Sequence, residues 1–307
     1  MNQWIKALVI ALVCLLSYSS MASNVPERIL NLPIRLDNGH VTSLADYANK
    51  QPVYLKFWAT WCQPCRQQMP HFQSIQEQYG NKIKVIAINI DLNESEKAIQ
   101  ATRDEFGLTM AMAIDEDKTL ANNMQLIGTP YHLLFDKQMN LVHVTHDADD
   151  VLDSKIATLA LDDPLEILSK QSLVSTEQAL KLPLNDGNIH ALFFTATWCD
   201  WYLKDSRPEY AKRCERGQVV VNKVSDKFPN IRWHGIVSRL WTGEQELKEY
   251  QEKYKTPFTS YVDKSNQLFL QYNIEQLPTL ILVKDNVIIK RISDYDTNTL
   301  TLSLTDL

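Results

Sequence analysis

The feature that most constrains this chain is a short motif that occurs twice. Residues 57–62 read FWATWC and residues 194–199 read FTATWC, and each copy ends a run of apolar, β-forming residues. The first copy continues as QPC over residues 63–65 and closes a Cys-x-x-Cys, whereas the second continues as DWY over residues 200–202. The same strand-to-turn unit is therefore built twice, but only one copy has a second sulfur.

Hydrophobic periodicity predicts the same order of strands and helices around each copy. In the first half it predicts strands and helices that alternate, with strands at 53–58, 84–90, 111–115, 132–135 and 141–145 and helices at 66–79, 94–106 and 117–124. In the second half it predicts strands at 191–195 and 233–237, helices at 208–228 and 244–254, and a segment, 261–292, that repeats the pattern of 113–144. This pattern predicts an α/β fold in which a central mixed sheet flanked by helices occurs twice in tandem.

The length of 307 residues suits two domains with separate cores. Residues 1–22 contain one lysine, an apolar run and then Ser-Met-Ala, which predicts a cleaved export signal, with an uncleaved membrane anchor as the alternative. A first domain would then span 23–161 and a second 162–307, joined within an acidic stretch at 147–166.

Charge and cysteine content point to an exported protein without a nucleic-acid partner. The formal net charge is −6, and no basic stripe with interleaved aromatic residues is present, so binding to phosphate backbones is not expected. Four of the five cysteines follow the predicted signal, and they could form two disulfides in an oxidising compartment. The bacterial periplasm is the compartment that fits best.

The residues around the first Cys-x-x-Cys resemble a known family. Residues 57–66 (FWATWCQPCR), Pro70 and residues 128–130 (Gly-Thr-Pro) are similar to exported thioredoxin-fold reductases of the TlpA and ResA type. The resemblance covers both halves and implies two tandem thioredoxin-like domains with thiol:disulfide oxidoreductase activity and no cofactor. It also implies disulfide-bearing exported proteins as substrates and a membrane thiol transporter of the DsbD or CcdA kind as electron donor.

Cys62 and Cys65 are the predicted catalytic residues. A thiolate attacks a disulfide and a thiol does not, and a cysteine at a helix N-terminus is held as a thiolate by free backbone N–H groups and the helix dipole. Cys62 is therefore the expected nucleophile, Cys65 the resolving cysteine one turn later, and Pro64 the residue that stiffens the turn. The alternative is a disulfide with a structural role only.

The resemblance also implies substrate-binding residues. Thr129 and Pro130 match a pair with a cis peptide bond whose backbone docks the substrate chain, and Trp61 matches a residue that shields the reactive sulfur. Trp61 and Trp58 could instead only fill space beneath the active loop. Lys56 departs from the buried acid that many thioredoxins have at this position; its charge could stabilise a thiolate, or its stem could reach water without a role.

No metal site is predicted. The first Cys-x-x-Cys has no second cysteine or histidine pair at zinc spacing. A copper or zinc site could be assembled on paper from His71, His143, His146, Asp147, Met69 and Cys62, but ordinary surface positions for these histidines are the favoured interpretation. A copper-handling chaperone or a redox-sensing adaptor, neither of them an enzyme, remains the alternative function.

The second copy has Tyr202 in place of the resolving cysteine, so Cys199 cannot exchange with a neighbour three residues on. Pro208 predicts a helix break after which Cys214 could fold back, and a Cys199–Cys214 disulfide is therefore predicted, with a structural or a redox role. Pro278, after Leu277, matches the cis-proline position.

The second copy would thus keep a groove around Trp198, Leu277 and Pro278 and lose the exchange chemistry. We therefore interpret the second half as a domain that docks a substrate or a partner.

Overall fold

A computed structural model describes residues 23–305 except 91, 93, 117, 169–172 and 174–177. The predicted export signal, residues 1–22, lies outside the described residues. Two five-stranded sheets organise the described part of the chain. Among the described helices, none is long and apolar enough to cross a lipid bilayer.

The first half begins with a short helix and a two-stranded antiparallel hairpin: α1 (Glu27–Leu30), β1 (Ile34–Arg35) and β2 (Val41–Thr42). Its main sheet consists of β3 (Val53–Trp58), β4 (Lys84–Asn89), β5 (Ala111–Ile114), β6 (Tyr131–Phe135) and β7 (Leu141–Thr145). Its helices are α2 (Gln63–Gln67), α3 (Met69–Tyr79), α4 (Glu96–Phe106), α5 (Thr119–Asn123) and α6 (Asp150–Ala160). The spatial order is β5-β4-β3-β6-β7, with β3, β4 and β5 parallel and β6 and β7 antiparallel to their neighbours.

The second half repeats this topology. Its strands are β8 (Ile189–Thr195), β9 (Arg232–Val237), β10 (Ser260–Val262), β11 (Thr279–Lys284) and β12 (Val287–Ile292). Its helices are α7 (Cys199–Tyr202), α8 (Pro208–Ser225), α9 (Glu244–Tyr254), α10 (Gln267–Gln271) and α11 (Thr297–Thr305). The order β10-β9-β8-β11-β12 has the same parallel and antiparallel pairs as the first sheet, so the predicted mixed sheet occurs twice.

The central strand of each sheet leads directly into a copy of the motif. Every residue of β3 is buried, as are all residues of β8 after Ile189, because both faces of these strands are covered. Apolar residues fill almost all of these positions, and Lys56 is the one charged exception. Strands of this kind hold the turns that follow them rigidly in place.

The structure corrects one predicted helix. A single helix was expected from residue 66 to residue 79, but α2 ends at Gln67 and α3 begins at Met69. Pro70 explains the break, because proline has no N–H to donate and its ring would clash with the carbonyl four residues earlier. The break separates the short helix that carries the cysteines from the longer helix that packs on the sheet.

Candidate redox site

Cys62 and Cys65 form a disulfide at the start of α2, with their Cα atoms 5.2 Å apart. Cys62 is the N-cap of the helix, and the Cys65 backbone N–H points at the Cys62 sulfur at 3.2 Å. Pro64 lies in the first turn, where its missing N–H costs nothing. A backbone N–H of the first helical turn, which has no partner within the helix, thus already points at the sulfur of the predicted nucleophile.

A cis-proline loop lies near this disulfide. The Thr129–Pro130 peptide bond is cis, which agrees with the expectation from the resemblance. Thr129 is 2% exposed, and its hydroxyl has no hydrogen-bond partner in the described part of the chain. His146 stabilises the loop through its Nδ1–H, which donates a hydrogen bond to the Pro130 carbonyl at 2.6 Å.

The second half of the chain covers the disulfide. Cys62, Cys65 and Trp61 are all fully buried. The Trp61 ring stacks on Trp198, its counterpart in the second copy of the motif, with ring centroids 5.0 Å apart. Trp241 meets the same Trp61 ring edge-on at 5.9 Å. In this conformation Trp61 therefore contacts the second half and cannot contact a substrate.

Three hydrogen bonds hold this cover in place. The Gln63 backbone N–H donates to the Tyr202 hydroxyl at 3.1 Å, so the tyrosine that replaces the second cysteine binds the turn between the first pair. The Arg207 guanidinium donates to the Thr60 hydroxyl at 2.5 Å. The third bond runs from the Trp241 backbone N–H to the Ile127 carbonyl at 2.9 Å, next to the cis-proline loop.

Gly128 lets Trp241 lie this close to the cis-proline loop. A Cβ at this position would collide with the Trp241 indole. No local sequence signal predicts this contact, because Trp241 lies in an irregular turn with a φ of 49° and belongs to neither copy of the motif. Sequence reasoning therefore missed Trp241 and, for the same reason, Arg207.

Lys56 is buried in β3, the strand that leads into the site. It is 0% exposed, its ammonium group lies 5.1 Å from the centre of the Phe72 ring, and it has no hydrogen-bond partner among the described residues. Burial lowers the pKa of Lys56 to about 7. His132 lies opposite Lys56 on β6, and burial together with the Lys56 charge holds the pKa of His132 well below its usual value.

The histidines considered for a metal site have different surroundings and bind no common group in the described structure. His71 contacts Asp153 at 2.6 Å, His146 binds the cis-proline loop, and His143 is on β7. No group of three or more metal-binding side chains occurs among the residues that the structure describes.

The structure joins Cys199 and Cys214 in a disulfide, with Cα atoms 6.0 Å apart. The two cysteines can meet because α7 ends at Tyr202 and α8 starts at Pro208, so the chain reverses between them. Both cysteines are buried, at 1% and 2% exposure. This disulfide ties the turn that carries Tyr202 to the long helix α8.

Removing this disulfide is expected to destabilise the protein. In a Cys199→Ala, Cys214→Ala variant the unfolded chain regains the freedom of a loop of 15 residues, and the free energy of unfolding should fall by about 3 kcal/mol. Urea unfolding of both proteins without reductant measures the difference. Alkylation of Cys199 and Cys214 in the unreduced wild-type protein, detected by mass spectrometry, would show that the bond does not form in solution.

The expected groove in the second half is closed. Leu277 and Pro278 are buried and joined by a cis peptide bond, but α8 lies over them. Gly217 of α8 lies so close to the Pro278 ring that a Cβ there would meet it at 2.6 Å. Trp198, the third predicted groove residue, stacks on Trp61 instead. The second cis-proline is therefore packed inside its own half, because the helix that the Cys199–Cys214 disulfide anchors covers it.

A buried central strand, a disulfide at the start of the following helix and a cis-proline opposite it define a thioredoxin-like domain. Residues 24–144 match the model of the AhpC/TSA family.

Two curated relatives are similar to part of the chain. Thioredoxin-like protein YneN of Bacillus subtilis is 41% identical over 98 residues, which cover 31% of this chain and 57% of the relative. Thiol-disulfide oxidoreductase ResA of Geobacillus kaustophilus is 32% identical over 100 residues, covering 32% of this chain and 56% of the relative. The chain thus spans about half the length of the curated relatives that it matches.

Solved structures also resemble only part of this chain. A secreted Mycobacterium tuberculosis disulfide oxidoreductase homologous to E. coli DsbE is 16% identical, with a TM-score of 0.39, and the match covers 44% of this chain and all of that chain. StoA from Bacillus subtilis is 20% identical, with a TM-score of 0.35, over 40% of this chain and 92% of that chain.

Proposed function

We propose that this protein is an exported thiol:disulfide oxidoreductase that reduces disulfide bonds in other exported proteins. The observation that carries the proposal is the Cys62–Cys65 disulfide at a helix N-terminus, in a segment that matches the AhpC/TSA family model. The name of the ResA relative, thiol-disulfide oxidoreductase, supports the same activity.

The reaction begins from the reduced pair. The Cys62 thiolate attacks one sulfur of the substrate disulfide, so that a Cys62–substrate disulfide forms and the other substrate sulfur leaves as a thiolate. Cys65 then loses its proton and attacks the Cys62 sulfur, which releases the second substrate thiolate and re-forms the Cys62–Cys65 disulfide. Two electrons pass to the substrate, whose two thiolates take up protons. A dithiol donor returns the protein to its reduced state.

The local geometry favours each step. The Cys65 N–H that now contacts the Cys62 sulfur would donate to the Cys62 thiolate in the reduced protein and stabilise its charge. Cys65 needs no rearrangement to resolve the intermediate, because the two Cα atoms are already 5.2 Å apart. The Thr129 hydroxyl has no hydrogen-bond partner among the described residues, and the Thr129 backbone adjoins the cis bond; both features suit the docking of an extended substrate segment.

Attack on a protein disulfide requires the second half to move aside. Cys62 is fully buried, and Trp198 and Trp241 of the second half pack on the adjacent Trp61, so a polypeptide cannot reach the Cys62 sulfur in this conformation. We therefore assign to the second half, residues 162–307, the role of a cover that also contacts the substrate or partner, and to residues 23–161 the redox chemistry. The contacts to be broken are hydrogen bonds, aromatic packing and the apolar contacts of a hydrophobic cluster that both halves share, and all of them are reversible.

The place of action and the electron donor follow from the same proposal. A protein with two disulfides works in an oxidising compartment, and the bacterial periplasm fits the predicted export signal. A reductase in that compartment needs electrons from the cytoplasm, so the donor would be a membrane thiol transporter of the DsbD or CcdA type.

Insulin reduction tests the activity. With dithiothreitol as the donor, micromolar amounts of the chain without residues 1–22 are expected to shorten the time before the insulin B chain precipitates. A Cys199→Ala, Cys214→Ala variant serves as the matched control, because it keeps the Cys62–Cys65 pair and should retain most of the acceleration at 25 °C. Precipitation at the rate of dithiothreitol alone would contradict the proposal, and tight Cu(I) binding by such an inactive protein would favour the copper-handling alternative.

A further inference from the structure

A cleft of about 460 Å³ opens between the two halves beside the redox site. On the side of the first half, Pro64 and Thr129 line it. Pro64 lies between the two cysteines in sequence, and Thr129 precedes the cis-proline. The remaining walls of the cleft belong to the second half and stay together when that half turns away from Cys62. A side chain bound by these walls would belong to a residue near the substrate cysteine, since an extended chain advances about 3.5 Å per residue.

Aromatic residues of the second half form the other walls. The aromatic lining consists of Trp198, Trp201, Tyr202, Trp241 and Tyr250. Several of these rings meet edge-on: the ring centroids are 5.2 Å apart for Trp198 and Trp241 and 5.9 Å apart for Trp201 and Tyr202.

Trp201 is the unusual member of this set. It is 60% exposed, although its Nε1–H is held by the Thr197 carbonyl at 3.2 Å. A fixed, exposed indole next to a cleft is typical of a binding surface.

The rim of the cleft carries negative charge. Glu246, Glu249 and Lys253 lie on one face of α9 and line the cleft. The Lys253 charge is already compensated, because its ammonium group contacts the Asp200 carboxylate, which also accepts a hydrogen bond from the Tyr254 hydroxyl.

Among the residues that the structure describes, neither glutamate has a cationic partner of this kind. Glu246 accepts the Gly243 N–H at 2.8 Å, and this bond lowers the pKa of Glu246, so it stays ionised. Glu249 accepts only an amide N–H from Gln245, at 2.7 Å. The lining therefore combines aromatic faces with two uncompensated carboxylates.

Aromatic faces and carboxylates together attract cations. The face of an indole or phenol ring binds an ammonium or guanidinium group, and a nearby carboxylate adds a direct charge interaction. A neutral aliphatic side chain would gain only from the rings, and an acidic one would be repelled by the rim.

We propose that this cleft binds a lysine or arginine side chain of the polypeptide substrate, a few residues from the cysteine that Cys62 attacks. The inference rests on the proposed function, to which it adds a substrate class: disulfides flanked by a basic residue. Trp201 and Glu249 are the residues expected to select it.

A pair of cyclic disulfide peptides that differ at one position tests the inference. One carries lysine and the other glutamine two residues from a cysteine, and kcat/KM for their reduction by the full mature chain is measured with dithiothreitol as donor. The lysine peptide is expected to react about tenfold faster at low salt, an advantage that should shrink at 0.5 M salt. In Trp201→Leu and in Glu249→Gln the ratio between the two peptides should fall toward one.

Glu252→Gln is the matched control, because it removes the same charge from the same helix at an exposed position outside the cleft lining. This variant should keep the ratio of the wild-type protein. Equal kcat/KM values for the two wild-type reactions, an unchanged ratio in Trp201→Leu, or a norleucine peptide that matches the lysine peptide would each overturn the inference.

A failure of the proposed reductase activity can be distinguished from a failure of the proposed cleft binding. If neither peptide is reduced, the proposed function is wrong, but the cleft can still be tested with the oxidised protein, which cannot exchange with them. Calorimetric titration should then show tighter binding of the lysine peptide, weakened in Trp201→Leu. Equal affinities would refute the cleft assignment independently of turnover.

Discussion

A Cys62→Ser variant is expected to lose the proposed disulfide-reducing activity, with kcat/KM lower by about a thousandfold or more. A serine hydroxyl stays protonated near neutral pH and cannot attack a disulfide, whereas the thiolate at the start of α2 is stabilised by the Cys65 N–H. The measurement is the rate of insulin reduction with dithiothreitol, corrected for the rate of dithiothreitol alone.

Cys65→Ser should behave differently and so separates the two roles. Cys62 can still attack in this variant, but the mixed disulfide cannot be resolved by a neighbouring sulfur. A covalent adduct with the substrate should accumulate and be visible on a non-reducing gel, and it should disappear with dithiothreitol. An adduct that forms with equal yield in Cys62→Ser would show that the nucleophile has been assigned to the wrong sulfur.

The strands and the site motif could be predicted from the sequence because they depend on local signals. The apolar run of β3 and the Cys-x-x-Cys after it follow directly from neighbouring residues, and the repeat of the motif predicts a second sheet. The end of α2 was missed because the apolar spacing continues through residues 66–79, whereas the Pro70 ring breaks the backbone within that spacing.

The cover over the redox site could not be predicted in the same way. Tyr202 binds Gln63, about 140 residues earlier in the chain, and Trp241 binds Ile127, about 115 residues earlier. No local sequence pattern predicts contacts between residues so far apart in the chain. The repeated Trp61 and Trp198 gave a hint, since two copies of one aromatic residue can stack across two similar halves. The closed second groove has the same origin, because only the fold places Gly217 on Pro278.

Lys56 is a buried charged residue without a hydrogen-bond partner among the described residues, and such a residue destabilises the fold. An unpaired charge in the middle of a buried strand loses its hydration, and this loss is why the pKa of Lys56 falls to about 7. Phe72 offers only a weak cation–π contact at 5.1 Å in return. A group that titrates near neutral pH in the strand that leads into a thiol site is suited to hold or release a proton there, which is a reason for a chain to keep a destabilising residue.

A Lys56→Met variant is therefore expected to be more stable than the wild-type protein, by an amount that depends on pH. Because the pKa is about 7 in the folded state and about 10.4 in the unfolded chain, the unfolded state binds more protons between these values, and the free energy of unfolding of the wild type rises with pH across this window. The penalty is complete below pH 7, where the gain from methionine should reach about 3–5 kcal/mol, and it should shrink steadily toward pH 10.

Urea unfolding of the oxidised proteins at pH 6 and pH 9.5 measures this gain. Lys82→Met is the matched control, since Lys82 is exposed and its replacement should change the stability by less than about 0.5 kcal/mol at either pH. A gain that is equal at the two pH values would mean that the Lys56 ammonium is not desolvated in solution. The same variant tests a role in chemistry: if Lys56 exchanges a proton with the cysteine pair, the pH profile of Cys62 alkylation in the reduced protein must shift in Lys56→Met, and an unchanged profile would leave the lysine with no part in the reaction.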